Sequence, residues 1–150
     1  MNETNNRTYR RRLGIRGWAV GARWGIERYA YTLHRITGLG ILAYFLMHIV
    51  VTSSIALGQT SWEWWMTLFG PLPFKIGEYL VFAAFAFHGL NGIRLVLVEL
   101  GFAVGRPEAP IYPYRTSLNV QRPLLVVVMI LAAGIALAGG YDFFFMGELQ

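Results

Sequence analysis

The chain contains no cysteine, so it can supply neither a disulfide, nor the thiolates of an iron–sulfur cluster, nor a thiolate axial ligand to haem. Any metal chemistry must use histidine, and there are three: His34, His48 and His88. Charge is scarce as well. Only 14% of the residues are charged, against roughly 25% in soluble domains. What replaces charge is apolar surface, at 55% hydrophobic residues and a mean hydropathy of +0.45. A water-soluble globular domain is excluded by that balance, and a single small membrane domain of 150 residues fits it.

Three stretches come near the roughly 20 apolar residues needed to cross a hydrocarbon core: about 37–57, which carries no charge, about 79–100 and about 124–145. Inside a bilayer the backbone must pair within its own segment, and the alternating short strands of a barrel are missing. The chain is therefore expected to be an all-α integral membrane protein. One membrane-anchor domain, 1–150, holds three transmembrane helices after an N-terminal cytoplasmic interfacial segment, 1–36.

The basic residues give orientation. Arg7, Arg10, Arg11, Arg12, Arg16, Arg23, Arg28 and Arg35 precede or open the first span, Arg94 closes the second, and Arg106, Arg115 and Arg122 lie in the connection to the third; Lys75 alone is on the other side. The positive-inside rule then puts the N-terminus and the 101–122 loop in the cytoplasm, and the 58–77 loop and C-terminus outside, in the inner (plasma) membrane of a prokaryote. The net charge of +5 reads as attraction to anionic lipid, with no nucleic-acid partner. The arginines and the full-length apolar run that follows them do not resemble a cleaved signal peptide.

Around the spans, Trp18, Trp24, Tyr29 and Tyr31 are interspersed with Arg16, Arg23, Glu27 and Arg28, as in a segment lying at the membrane surface, either as an anchor or as a docking surface for a soluble partner. In the outer loop Trp62, Trp64, Trp65, Phe69, Pro71 and Pro73 read as an aromatic belt and a turn into the second span. The third span has no titratable residue before Asp142, and Gly134, Ala138, Gly139 and Gly140 suit close packing. The Pro-rich stretch 105–115 reads as a surface connection that can brace soluble subunits.

His88 sits within Phe85-Ala-Phe-His88-Gly-Leu-Asn-Gly92-Ile-Arg94, where no water is available to satisfy an imidazole. Gly92, four residues on, shares its helix face, and Gly89 is adjacent, leaving a surface on which a flat macrocycle could lie. Two readings stand: His88 ligates a haem iron, or the glycines serve helix packing and His88 hydrogen-bonds a neighbouring helix. Arg94, about 9 Å nearer the cytoplasm, suits a haem propionate or a lipid phosphate.

The motif Tyr31-Thr32-Leu-His34-Arg35-Ile-Thr37-Gly38 opens the first span, and His88-x-x-x-Gly92-Ile-Arg94-x-x-x-x-Glu99-x-Gly101 closes the second. Together, on one side of a three-span chain, they resemble the cytochrome b membrane-anchor subunit of succinate dehydrogenase. The resemblance implies that His88 is an axial ligand of haem b, the second ligand coming from another membrane-anchor subunit. It implies that Arg35 helps form a ubiquinone or menaquinone site and meets a propionate, with His34 beside the same propionates. A family serine that contacts the quinone is matched by Tyr31, so its phenol or the hydroxyl of Thr32 would take that part. Where the family often has a histidine after the arginine matched by Arg94, this chain has Leu95. The implied partners are a second membrane-anchor subunit, an Fe–S subunit and a flavoprotein subunit. Succinate is oxidised on those soluble subunits, since nothing in this chain provides a flavin or dicarboxylate site.

The chemistry is consistent with that assignment. Quinone reduction takes two electrons and two protons, and a permanent Arg charge beside a titratable His supplies stabilisation and a proton. His48 remains open: counted from the predicted span ends it lies about 16 Å deep, against about 18 Å for His88. It is a ligand of a second haem, a packing histidine, or the second ligand of the same haem, so the cofactor count is one haem b or two. A fumarate reductase anchor running in reverse carries the same residues. From other classes, a haem-free membrane adaptor remains, whereas half of a small transporter would need paired charges or broken helices that spans one and three lack.

Overall fold

Glycine and proline set the ends of the first three helices in the computed structural model, which describes residues 25–105, 111–112 and 116–146. Helix α1, Ile26–Ser53, begins after Gly25, whose φ of 89° and ψ of 171° lie in a region open in practice only to glycine. It continues through one 3-10 turn, Ser54–Leu57, and stops at Gly58, with φ 105°. The hydroxyls at this end satisfy themselves locally: Thr52 donates to the His48 carbonyl at 2.7 Å, Ser53 to Val50 at 2.8 Å and Ser54 to Val51 at 2.6 Å. Three polar side chains are thus tolerated at the rim of an apolar helix.

Helix α2, Gln59–Phe69, is an 11-residue helix in the outer loop, where the sequence suggested only a belt and a turn. It ends in a chain of aromatic contacts from Trp65 to Phe69 and from Phe69 to Phe74. Helix α3 is Leu72–Glu99 and helix α4 is Leu118–Tyr141, continued by a π turn, Asp142–Met146. Three helices, 26–57, 72–99 and 118–146, are long and apolar enough to span a membrane, and no strand occurs among the described residues.

Each of the three long helices starts before the apolar run expected to cross the membrane, for a definable reason. No Pro or Gly separates 26 from 37, so residues 26–36 of the expected interfacial segment are the first turns of α1 itself. Pro71 and Pro73 start α3 rather than delay it, because a proline is tolerated in a first turn, where the N–H has no partner anyway. Pro123 lies inside α4 and leaves out one ladder bond without ending the helix. The remainder of the expected interfacial segment, with Trp18 and Trp24, the arginines at 106 and 115, and residues 147–150 lie outside the described residues.

Helix α3 is the middle of the molecule, packing on α1 along one side and on α4 along the other. Its buried residues Phe87, Asn91 and Arg94 are spaced at i, i+4 and i+7, and those of α4, Leu125, Val128 and Ala132, at i, i+3 and i+7. Where α3 meets the far half of α4, Gly139 and Gly140 admit the rings of Phe82 and Tyr79, and the Tyr79 hydroxyl donates to the Ala136 carbonyl at 3.1 Å. Small residues that let a neighbour in are how helices associate where lipid offers no hydrophobic contrast. At the opposite end Arg122 of α4 donates to Glu27 of α1, tying together the starts of the two outer helices.

This packing makes a discriminating test. Gly139→Leu should cost about 1–3 kcal/mol of bundle stability in detergent unfolding, because the new side chain meets the Phe82 ring, while Gly134→Ala, with nothing within 4 Å of its Cβ, should cost nothing and gain helix propensity.

Candidate functional site

Where α1 and α3 cross, their two histidines lie ring on ring. The imidazoles of His34 and His88 are 3.9 Å apart at their centroids and 4° from parallel. The helices are antiparallel, so the register is reciprocal: a Cβ on Gly38 would fall 2.8 Å from His88 Cε1, and one on Gly92 would fall 3.7 Å from His34 Cε1. Each ring therefore occupies the space left by the glycine four residues after the other histidine. The clearing at Gly92 receives His34, and His88 uses the clearing on the opposite helix.

His88 is held from one edge. Its Nδ1 is 3.0 Å from the His34 main-chain oxygen and 3.3 Å from Thr37 Oγ1. A carbonyl oxygen only accepts, so Nδ1 carries the hydrogen, and in the neutral ring this leaves the lone pair on Nε2. The Thr37 hydroxyl donates back to the Leu33 carbonyl at 2.8 Å, which leaves its oxygen to accept. Among the described residues nothing hydrogen-bonds His88 Nε2. An imidazole with Nδ1–H fixed on a carbonyl and Nε2 bare has the form in which histidines ligate metals.

The other sequence-selected residues fall around this pair in distinct places. Tyr31 and Arg35 share an exposed face of α1 at the same end, with the Arg35 guanidinium 4.7 Å from the centre of the Tyr31 ring. Thr32 faces the other way and is buried. Arg94 is turned into the bundle, 8% exposed, and its Nε donates to Asn91 Oδ1 at 2.9 Å. Asn91 is fully buried and was not singled out from the sequence, although an amide in the middle of an apolar span is itself a signal. The Asn91 Nδ2 and His34 Nδ1 atoms are buried without a hydrogen-bond partner among the described residues, so this end of the bundle has polar capacity that the chain does not fill.

His48 lies elsewhere. Carried along α1 at the register that pairs Gly38 with His88, it is level with Glu78, about 15 Å from the His88 level at 1.5 Å per residue. The similar depths expected from the predicted span ends do not hold, because α1 begins at Ile26, well before the predicted start at 37, whereas α3 ends at Glu99, close to the predicted end. Two nitrogens on opposite sides of one metal, each about 2 Å from it, cannot be supplied from that distance, so His48 and His88 do not share an iron. His48 is exposed and stacks on Tyr44 with centroids 5.6 Å apart. Beside them, at the end remote from His34, a cleft of about 450 Å³ is lined by Ile41, Tyr44, Phe45, Glu78, Val81, Phe82, Phe85 and Phe143.

The fold and the site define a class: a multi-pass membrane protein whose crossed helices carry a histidine pair near one end and whose outer faces are apolar. The chain matches the family model of the succinate dehydrogenase/fumarate reductase transmembrane subunit over residues 4–138, and it belongs to that family. Neither a curated protein nor a solved structure gives a significant match.

A haem asks of this chain one neutral imidazole nitrogen with its other nitrogen fixed, and His88 fits that requirement. Among the described residues no three His, Asp or Glu side chains converge, so a bare ion has no cage here. His34 cannot be the opposite ligand to His88, because stacked rings lie side by side whereas opposite ligands face each other across the metal.

Burial makes the Asn91–Arg94 pair sensitive to truncation. Asn91→Ala should destabilise the bundle by about 2–3 kcal/mol, since it leaves a buried guanidinium N–H without an acceptor; thermal unfolding in detergent against wild type measures it.

Proposed function

We propose that this chain is the membrane anchor and cytochrome b subunit of a succinate:quinone oxidoreductase, holding haem b through His88 Nε2 and forming one wall of a quinone-reduction site with Arg35 and Tyr31. The observation that carries the haem reading is the state of the His88 ring: Nδ1 committed to the His34 carbonyl at 3.0 Å, Nε2 bare. Family membership supports the setting. A second ligand to such a haem would have to come from another membrane-anchor subunit, since neither His34 nor His48 is placed to join His88. Bound there, haem would provide a one-electron store beside the site.

For the quinone, the chain's contribution is charge and hydrogen-bond donors at a carbonyl that becomes negative on reduction. The packing of Arg35 over the Tyr31 ring holds the guanidinium at the exposed face of α1. Tyr31, 51% exposed, stands with Arg35, whereas Thr32 is 6% exposed and faces inward, so the phenol is the group that takes the family serine's part. Two electrons arrive from an Fe–S subunit and two protons from the aqueous side, giving the quinol. Succinate gives up its electrons at a flavoprotein subunit. A fumarate reductase anchor uses the same residues with the electron flow reversed.

The arginine-rich end supports a cytoplasmic N-terminus in a prokaryotic inner membrane, with the C-terminus outside. His34 and Arg94 lie at the same end, close enough in register to His88 to meet haem propionates. His48 serves a second haem only if the complex contains two.

On the purified complex, His88→Leu should abolish haem b incorporation, measured by pyridine haemochrome, and normal haem content in that variant refutes the ligand assignment. Arg35→Leu should lower succinate:quinone activity on the order of 10²-fold, with succinate oxidation by an artificial dye unchanged; equal loss of both activities would place Arg35 in assembly instead.

A further inference from the structure

The two glycines that receive the histidine rings are not equivalent. At Gly92 a Cβ would stand 3.7 Å from His34 Cε1, an ordinary contact. At Gly38 it would stand 2.8 Å from His88 Cε1, 3.3 Å from Nδ1 and 3.7 Å from Nε2, so the imidazole would have to move. That ring has little freedom to give way. Its face is stacked on His34 at 3.9 Å, and Nδ1 is held by the His34 carbonyl at 3.0 Å and Thr37 Oγ1 at 3.3 Å.

The terminal torsion of a histidine is broad, so side-chain rotamers alone would not select one ring orientation. Here one turn of α1, residues 34–38, supplies every constraint: a stacking face, an acceptor for Nδ1–H, a second acceptor beside it and an absent side chain at the Cε1 edge.

We infer that Gly38, with the His34 carbonyl and the Thr37 hydroxyl, is the positioning seat of the His88 imidazole, fixing its rotation and tautomer so that Nε2 is presented in one direction with its lone pair free. This rests on the reading of His88 as the haem ligand. On this account His34 acts on the ligand through its main-chain oxygen and ring face. Partners of this kind set ligand orientation and basicity, and their loss typically costs 10–100-fold in metal-site affinity.

The test compares Gly38→Ala with Gly40→Ala in the purified complex. Gly40 is on the same helix with nothing within 4 Å of its Cβ, so it controls for the gain in helix propensity. Haem content, the midpoint potential and the low-temperature EPR g values are read for each. Gly38→Ala should retain haem about 10-fold less well, or keep it with a shifted potential and altered g values, while Gly40→Ala matches wild type. A Gly38→Ala complex indistinguishable from wild type, or a Gly40→Ala complex changed as much, overturns the seat.

If Gly38→Ala does not assemble, Thr37→Val decides. It keeps the side-chain shape and removes one acceptor, so it should shift the same signals; no shift overturns the proposal. His88→Leu separates this inference from the one beneath it. Haem retained in that variant defeats the ligand reading, whereas haem lost in His88→Leu but unperturbed in Gly38→Ala defeats only the seat.

Discussion

Two imidazoles lie between helices that are otherwise almost wholly apolar, and one of them, His88, fits as it does because the residue facing it, Gly38, has no side chain. A hydrocarbon interior offers no water to a polar ring, so each nitrogen there must find a partner or stay unpaired at a cost. Placing His88 against the backbone of α1 gives its Nδ1–H the His34 carbonyl. The same contact fixes the antiparallel register of α1 and α3, since Gly38 must meet His88 while Gly92 meets His34. From that register follow the level of His48 beside Glu78, the exposure of Tyr31 and Arg35, and the separation of the aromatic cleft from the histidine pair.

The other half of the bundle is held by the same physics with different residues. Gly139 and Gly140 of α4 face Phe82 and Tyr79 of α3, and one hydroxyl-to-carbonyl bond accompanies them. Such bonds average only about 0.6 kcal/mol in membranes, because the separated helices also find partners. Close approach therefore dominates. Helix α3 needs two different clearings, on α1 near one end and on α4 near the other, which makes it the central element.

Much of this was legible in the sequence. Apolar runs gave three spans, and the His-Arg-Ile-Thr-Gly and His-x-x-x-Gly-Ile-Arg motifs gave the family. What the sequence could not convey was which helix fills which clearing. A period of 3.6 says that His88 and Gly92 share a face, and from that a flat surface beside His88 is the natural inference. In the fold the space at Gly92 belongs to His34. The helix starts lie outside the apolar runs for a related reason: polarity marks where an apolar run ends, whereas the first turns of α1 carry Glu27, Arg28, His34 and Arg35 without breaking the helix. Asn91 went unnoticed because a lone amide in an apolar run has no periodicity, yet it is fully buried beside Arg94.

The middle position of α3 also bears on where this chain's chemistry must be completed. The outer face of α1 exposes Ile36, Leu39, Leu42, Leu46 and Ile49, α4 exposes Ile130 and Leu137, and even the middle helix exposes Leu80, Phe85 and Ile93, so all three spans present apolar surface. Lipid or protein covers these equally well. The polar groups discriminate between the two. His88 Nε2 has no partner within the described residues, and lipid tails provide none. The Arg35 guanidinium on its tyrosine ring likewise has no carboxylate among the ion pairs of the described residues. On the reading proposed for His88, a chain that fixes one nitrogen of the imidazole on its own backbone and leaves the other bare supplies one side of a ligation, and the other side would come from outside it.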